Sequence, residues 1–400
     1  MGVSLINPTM PSLRFLSLAV LLALAAPAFA QNQCGDACMG MLREAHTLEN
    51  QGKYQEALDK YRAAEKAEPL ASFPFSSEAA LILTLSARVK PELAEEWRKA
   101  ARAQANRALK LWPDDPIALE TLRLLDDAPT PLHAPNPQAA SLLAEGELQF
   151  SQAHYPEALR KYQAAAQADP AYSVAWVNAG DCYFAQKDWP QAEAMFRRAV
   201  EIEPRNSQGW RYLADTLAAQ GKLAAAEAAL YSAIAADPSQ RPNWTKLASL
   251  RAHQGKPLKP LALRRGVRVS QGADGKYTVN LDEWAAKQAD TPDFAMRVML
   301  GADEAKLRSD DKAGTKSAYE IELQAWRDTL KVADELKAST GKDPADPALQ
   351  RMQALARDGQ LEPAILLLQF RQAYRPALEA WLAANPDGVK TFVERYGVTP

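Results

Sequence analysis

Small and apolar residues recur along this chain at an interval that no single helix or strand produces. Between Ala139 and Gly255, Gly146, Gly180 and Ala214 stand 34 residues apart. So do Ala158, Ala192 and Ala226; Tyr162, Phe196 and Leu230; Ala165, Ala199 and Ala233; and Pro170, Pro204 and Pro238. Trp176, Trp210 and Trp244 keep the same interval. A period of this length with small residues at two fixed points predicts helical hairpins stacked side by side. Each hairpin closes where Gly or Ala meets Ala, and Trp176, Tyr183 and Phe196 fill the space around that contact. The prolines stand where a second helix has to stop.

The same register opens the chain after residue 31, with Ala45, Gly52, Tyr54, Ala57, Tyr61, Ala64 and Pro69. Glu78 to Val89 and Glu92 to Leu111 then read as two helices, longer than one repeat and without the central glycine. DDPIALETLRLLDD adds one helix, and Asp127 to Pro137 is a proline-rich spacer. Past residue 255 the period ends. Val267-Arg268-Val269 and Tyr277-Thr278-Val279 flank Asp274-Gly275, a β-hairpin signal. Tyr319, Leu323, Trp326, Leu330 and Ala333 form one face of a long amphipathic helix. Leu361 to Phe370, apolar almost all round, predicts a buried helix, and Asn385-Pro386-Asp387 opens a last one holding Phe392 and Tyr396. Trp284, Phe294, Trp326, Phe370 and Trp381 read as core. The expected fold is all-α: a hairpin solenoid, a short β-hairpin and a C-terminal helical domain. The expected segments are 1–30, 31–126, 127–137, 138–255, 256–281 and 282–400.

The fixed positions of the array resemble the tetratricopeptide repeat. The best copies are AYSVAWVNAGDCYFAQKDWPQAEAMFRRAVEIEP and SQGWRYLADTLAAQGKLAAAEAALYSAIAADP. An earlier copy has Leu142 where they have tryptophan, and RPNWTKLASLRAHQG supplies a single capping helix. The resemblance implies a concave groove lined by the first helices. By register it places there Leu143, Glu147 and Phe150; Val177, Asn178, Asp181 and Phe184; Arg211, Tyr212 and Asp215; and Thr245, Lys246 and Ser249. Asn178 matches an asparagine of the family's carboxylate clamp, but Asp181 and Asp215 stand where a second would be and would repel a terminal carboxylate. Phe150, Phe184 and Tyr212 beside two aspartates suit an extended peptide with apolar and basic side chains. Phe150, Val177, Asn178, Asp181, Phe184, Arg211, Tyr212, Asp215 and Lys246 are therefore the groove candidates.

Charge narrows the partner class. The chain has 47 basic and 49 acidic residues and no basic stretch able to follow a phosphate backbone, so nucleic acid is not an expected partner. Arg14, the apolar run LSLAVLLALAAPAFA and the Ala28-Phe29-Ala30 site read as a signal peptide cleaved between Ala30 and Gln31, with Met1 or Met10 as the start. No other apolar run reaches the ~20 residues of a membrane span, so the expected mature protein is periplasmic or secreted and not inserted. Export opens Cys34 and Cys38 to a local disulfide, or leaves two free thiols. Cys182 reads as core. The four histidines lack metal spacing, and no G-x-S-x-G, phosphate loop or H-E-x-x-H is present. No cofactor or metal is expected. Residues 256–400 resemble no recognised family. The leading expectation is an exported adaptor that binds a protein or peptide and is not an enzyme. The alternatives are an envelope enzyme with its site in 256–400, and self-assembly through incomplete repeat ends.

Overall fold

The computed structural model describes residues 34–400 apart from 87–90, 113–114, 127–132, 272–275, 289–290, 312 and 342. The signal peptide with its cleavage point, part of the spacer and the Asp274-Gly275 turn lie outside the described residues. The chain divides into two compact units, Met1–Pro129 and Thr130–Pro400.

In the first unit the helices are α1 (Asp36–Asn50), α2 (Tyr54–Ala67), α3 (Phe73–Ser86), α4 (Pro91–Leu111) and α5 (Pro116–Asp126). Helix α3 begins five residues before the expected Glu78. Pro74 sits in its first turn, where a missing N–H costs nothing, and Phe75 is fully buried. Cys34 and Cys38 form a disulfide with Cα atoms 5.2 Å apart, inside the usual range. Cys34 precedes the helix and Gly35 is extended, so the pair escapes the constraint of two cysteines within one regular helix.

The second unit opens with seven repeat helices: α6 (Pro137–Ser151), α7 (Tyr155–Ala168), α8 (Ser173–Ala185), α9 (Trp189–Ile202), α10 (Ser207–Ala219), α11 (Leu223–Ala236) and α12 (Arg241–His253). Local chemistry marks their ends. Asn136, Asp188 and Asn206 accept hydrogen bonds from first-turn N–H groups, as capping residues do. The turn between paired helices needs one left-handed residue, and the period supplies it at Ala153, Lys187, Gly221 and Gly255, with φ of 60°, 61°, 75° and 75°. Two of the four are not glycine. Lys187→Gly is expected to stabilise the protein by about 0.5–1 kcal/mol, because relief of the left-handed penalty exceeds the added chain entropy; urea unfolding at neutral pH measures it. The periodic tryptophans lock consecutive hairpins: Trp210 and Trp244 donate through Nε1 to the carbonyls of Pro204 and Pro238, both at 2.9 Å. The Trp176 Nε1 is buried with no partner.

Beyond α12 follow β1 (Lys259–Pro260), β2 (Val267–Gln271), β3 (Tyr277–Leu281), α13 (Glu283–Ala286), α14 (Pro292–Asp310), α15 (Ala318–Thr340), α16 (Pro347–Arg357), α17 (Leu361–Leu368), α18 (Arg375–Ala384), α19 (Gly388–Tyr396) and β4 (Val398–Thr399). Strands β2 and β3 pair antiparallel, with Val267 opposite Leu281. The hairpin lies on α14 at Gly301, where a Cβ would stand 2.7 Å from Val279 Cγ1. Strand β1 pairs in parallel with β4, a contact that nothing in the periodicity announces. The long helix α15 starts at a capping box, Ser317 with Glu320, and buries Trp326 to 1% exposure.

The C-terminal helices are not a body separate from the array. One hydrophobic core runs from Val177, Phe196 and Leu230 through Trp244, Leu247 and Leu261 to Trp326, Ile365, Leu378 and Phe392. This explains the wide apolar surface of α11, LAAAEAALYSAIAA, which buries Ala226, Ala229, Leu230, Tyr231, Ala233, Ile234 and Ala236 by packing on α10, α12 and α19. Helix α12 therefore continues the core rather than ending it. Polar contacts pin the same junction. Arg375 Nη1 donates to the Ala236 carbonyl at 2.5 Å, Gln372 Nε2 to Asp237 at 3.4 Å, and Arg205 lies 4.0 Å from Glu379.

Candidate functional site

The first helices α6, α8, α10 and α12 carry the groove candidates, and two of the positions assigned to the groove are core instead. Leu143 is fully buried and Val177 is 2% exposed; Val177 belongs to the same buried cluster as Ala192, Phe196 and Leu213. An apolar side chain at that position gains more from the space between hairpins than from the face. The aromatic candidates are half-buried and edge-packed. Phe150 meets Tyr155 at 5.3 Å, Phe184 meets Trp189 at 5.0 Å and Tyr212 meets Phe196 at 5.7 Å between ring centroids. Phe150 and Phe184 thus close the turns of their own hairpins, and Tyr212 bridges two hairpins.

The polar candidates do come together, in two rungs of a ladder, one joining α6 to α8 and one joining α10 to α12. Asn178 Nδ2 donates to Glu147 Oε1 at 2.5 Å. Lys246 Nζ donates to both carboxylate oxygens of Asp215, at 2.6 and 2.8 Å. Both rungs span 31 residues, and the same step from Asp181 falls on Tyr212. Arg211 lies over the Tyr212 ring at 5.2 Å and reaches Asn243 Oδ1 at 3.4 Å. Asn243, fully buried and bonded to the Ala233 carbonyl at 3.1 Å, and Gln208, which donates to the Tyr212 hydroxyl at 3.1 Å, are members that register alone did not point out. The 31-residue spacing was the readable signal for the rungs. Asn178 spends its amide on Glu147, so it is not a free donor for a chain-terminal carboxylate. Thr245 and Ser249 bond within α12, to the Arg241 carbonyl and from His253.

Three carboxylates, Glu147, Asp181 and Asp215, keep the 34-residue interval along this face. Their field reaches inward: burial pushes the Cys182 thiol up to about 12, and the Asp181 and Glu147 charges add to it. Cys182 is a buried free thiol, inert packing rather than a nucleophile. Among the described residues no group of three or more His, Cys, Asp or Glu is placed to hold a metal, and no helix is long and apolar enough to cross a membrane.

Paired helices in this register, closed by small residues and stacked through tryptophan, define a helical-hairpin solenoid. Models of the tetratricopeptide repeat match residues 42–116, 149–215 and 184–253; over those segments the chain is a tetratricopeptide-repeat protein. Solved structures similar to it include the first such domain of Spaghetti (RPAP3) bound to an HSP90 peptide, 22% identical over 31% of this chain and 99% of that one, TM-score 0.29. The Sgt2 domain of Aspergillus fumigatus is 22% identical over 35% and 95%, TM-score 0.29. TTC0263 of Thermus thermophilus is 18% identical over 54% and 99%, TM-score 0.26. No curated protein matches the chain.

Proposed function

We propose that the protein is an exported scaffold that holds an extended, basic segment of a partner protein along the face of α6, α8, α10 and α12. The observation that carries this reading is the line of Glu147, Asp181 and Asp215 at one-repeat spacing. A chain laid across successive hairpins meets an acidic side chain at each, Asp215 shared with Lys246 and Glu147 with Asn178, with the half-buried Phe184 and Tyr212 between them. The C-terminal helices attach through α11 and the turns after α9 and α11, which lie outside the four first helices. In residues 256–400 buried acids and bases tie elements together: Arg265 bridges Glu304 and Glu322 at 2.5 and 2.6 Å. This favours a structural role for that region over an active site. The A-x-A site motivates export.

The test is affinity capture from an envelope extract with the native chain and an Asp181→Lys, Asp215→Lys variant. The native chain is expected to be recovered starting at Gln31, and the variant to lose on the order of tenfold or more in affinity, about 1.4 kcal/mol, chiefly through slower association at low salt. Equal capture of the same partners by the variant overturns the groove. Asp215→Lys also breaks the pair with Lys246 and Phe184→Ala the contact with Trp189, so Asp181→Lys alone is measured beside them.

A further inference from the structure

We propose that Glu65 and Glu78 form a proton-sensitive joint in the first unit, clamping α2 to α3 and α4 while they share a proton and releasing that clamp when the proton leaves. The geometry comes first. Glu78 on α3 is 1% exposed and receives Arg62 Nε of α2 at 2.7 Å. Gln104 Nε2 of α4 reaches across both acids, donating to Glu65 Oε1 at 3.3 Å and to Glu78 Oε2. One amide nitrogen thus holds the two carboxyl groups side by side. Two carboxylates so placed repel each other, which favours a proton on one of them.

The charges around the pair are unequal. Arg62 is committed to Glu78, and Arg107 of α4 helps at longer range while lying over the Phe75 ring at 4.2 Å. Lys66, also on α2, stands on the rim and is exposed. Among the described residues no cation lies within ion-pair distance of Glu65. A cavity of about 440 Å³ adjoins the pair, walled by Ile82, Ala100 and Ala103, so a second carboxylate repelled by Glu78 has room to swing away from α3. Burial, then the neighbouring Glu78 carboxyl with its charge, pushes the Glu65 carboxyl from 4.5 up to about 8.

The sign follows from linkage. A carboxyl whose folded value lies above its unfolded one gives its full contribution below the unfolded value and loses it as pH rises toward the folded one. Between those limits the folding constant of this unit falls by at most about tenfold per pH unit, and by less for a group that is partly solvated. The joint therefore loosens through neutral pH rather than in acid.

The experiment uses the full-length protein. Carbon-13 NMR of glutamate-labelled protein is expected to show one carboxyl titrating above about pH 7, absent in Glu65→Gln. Calorimetry is expected to show the first unit's transition falling between about pH 6.5 and about pH 9 in the native chain and staying level in Glu65→Gln, whose carboxamide keeps a donor toward Glu78. Either of two results overturns the proposal: all glutamates titrating below about pH 6, or parallel pH dependence in the two proteins. If Glu65→Gln does not fold, the titration of the native chain alone decides.

Discussion

Gly180→Leu is expected to lower the stability of the second unit by ~3 kcal/mol or more. A Cβ at residue 180 would stand 2.5 Å from Cε1 of Phe196, closer than side-chain atoms approach one another. Phe196 is fully buried and belongs to the unit's main core, so it cannot turn out of the way. Glycine normally weakens a helix interior by about 1 kcal/mol, and here overpacking outweighs that gain. Ala192, fully buried on the facing helix and in the same core, leaves as little room, and Ala192→Leu should cost about 1–3 kcal/mol. The chain contains its own control. Gly146 stands against Tyr162 as Gly180 does against Phe196, whereas the third hairpin has Ala214 and Leu230 at the same two positions. Adding Phe196→Leu to Gly180→Ala should therefore recover much of what Gly180→Ala loses. Urea unfolding of the single and paired variants checks this, and an unchanged midpoint for Gly180→Leu would mean that the hairpin register is wrong.

Arg297→Ala is expected to cost about 3–5 kcal/mol, the loss that follows when one partner of a buried ion pair is removed. Arg297 is 1% exposed. Its Nη2 donates to Asp346, its Nη1 to the Asp293 carbonyl at 3.1 Å and its Nε to the Arg264 carbonyl at 3.2 Å. Its guanidinium lies 4.5 Å from the Trp284 ring centre, so α14, the entry to the hairpin and the start of α16 meet on one side chain. Asp293 completes the joint by accepting the Ala345 and Asp346 N–H groups at 2.9 and 2.7 Å. Arg297→Lys should rescue little, because one ammonium cannot serve three acceptors in fork geometry and stack as well. Because the array and the C-terminal helices share one core, the loss should appear in a single transition that includes the repeats. Separate melting of the repeats at their original midpoint would contradict that continuity.

A 34-residue interval is a local and redundant signal, and it determined the hairpins and their ends, while the glycines meet the rings of Tyr162 and Phe196 rather than the alanines. Gly180, Ala192 and the turn residues stand where helix period and turn chemistry require, whatever surrounds them. The ladder was partly legible for the same reason: its rungs repeat in register, as Asp215 and Lys246 show. Burial was not legible, because register gives a position on a helix but not what lies opposite. Val177 and Leu143 share a phase with exposed groove positions, and only the neighbouring hairpin makes them core. The pairing of β1 with β4, the burial of α11 beneath α19 and the meeting of Glu65 with Glu78 depend on contacts between elements far apart in the chain. Each side of such a contact looks ordinary by itself, so tertiary packing alone decided them.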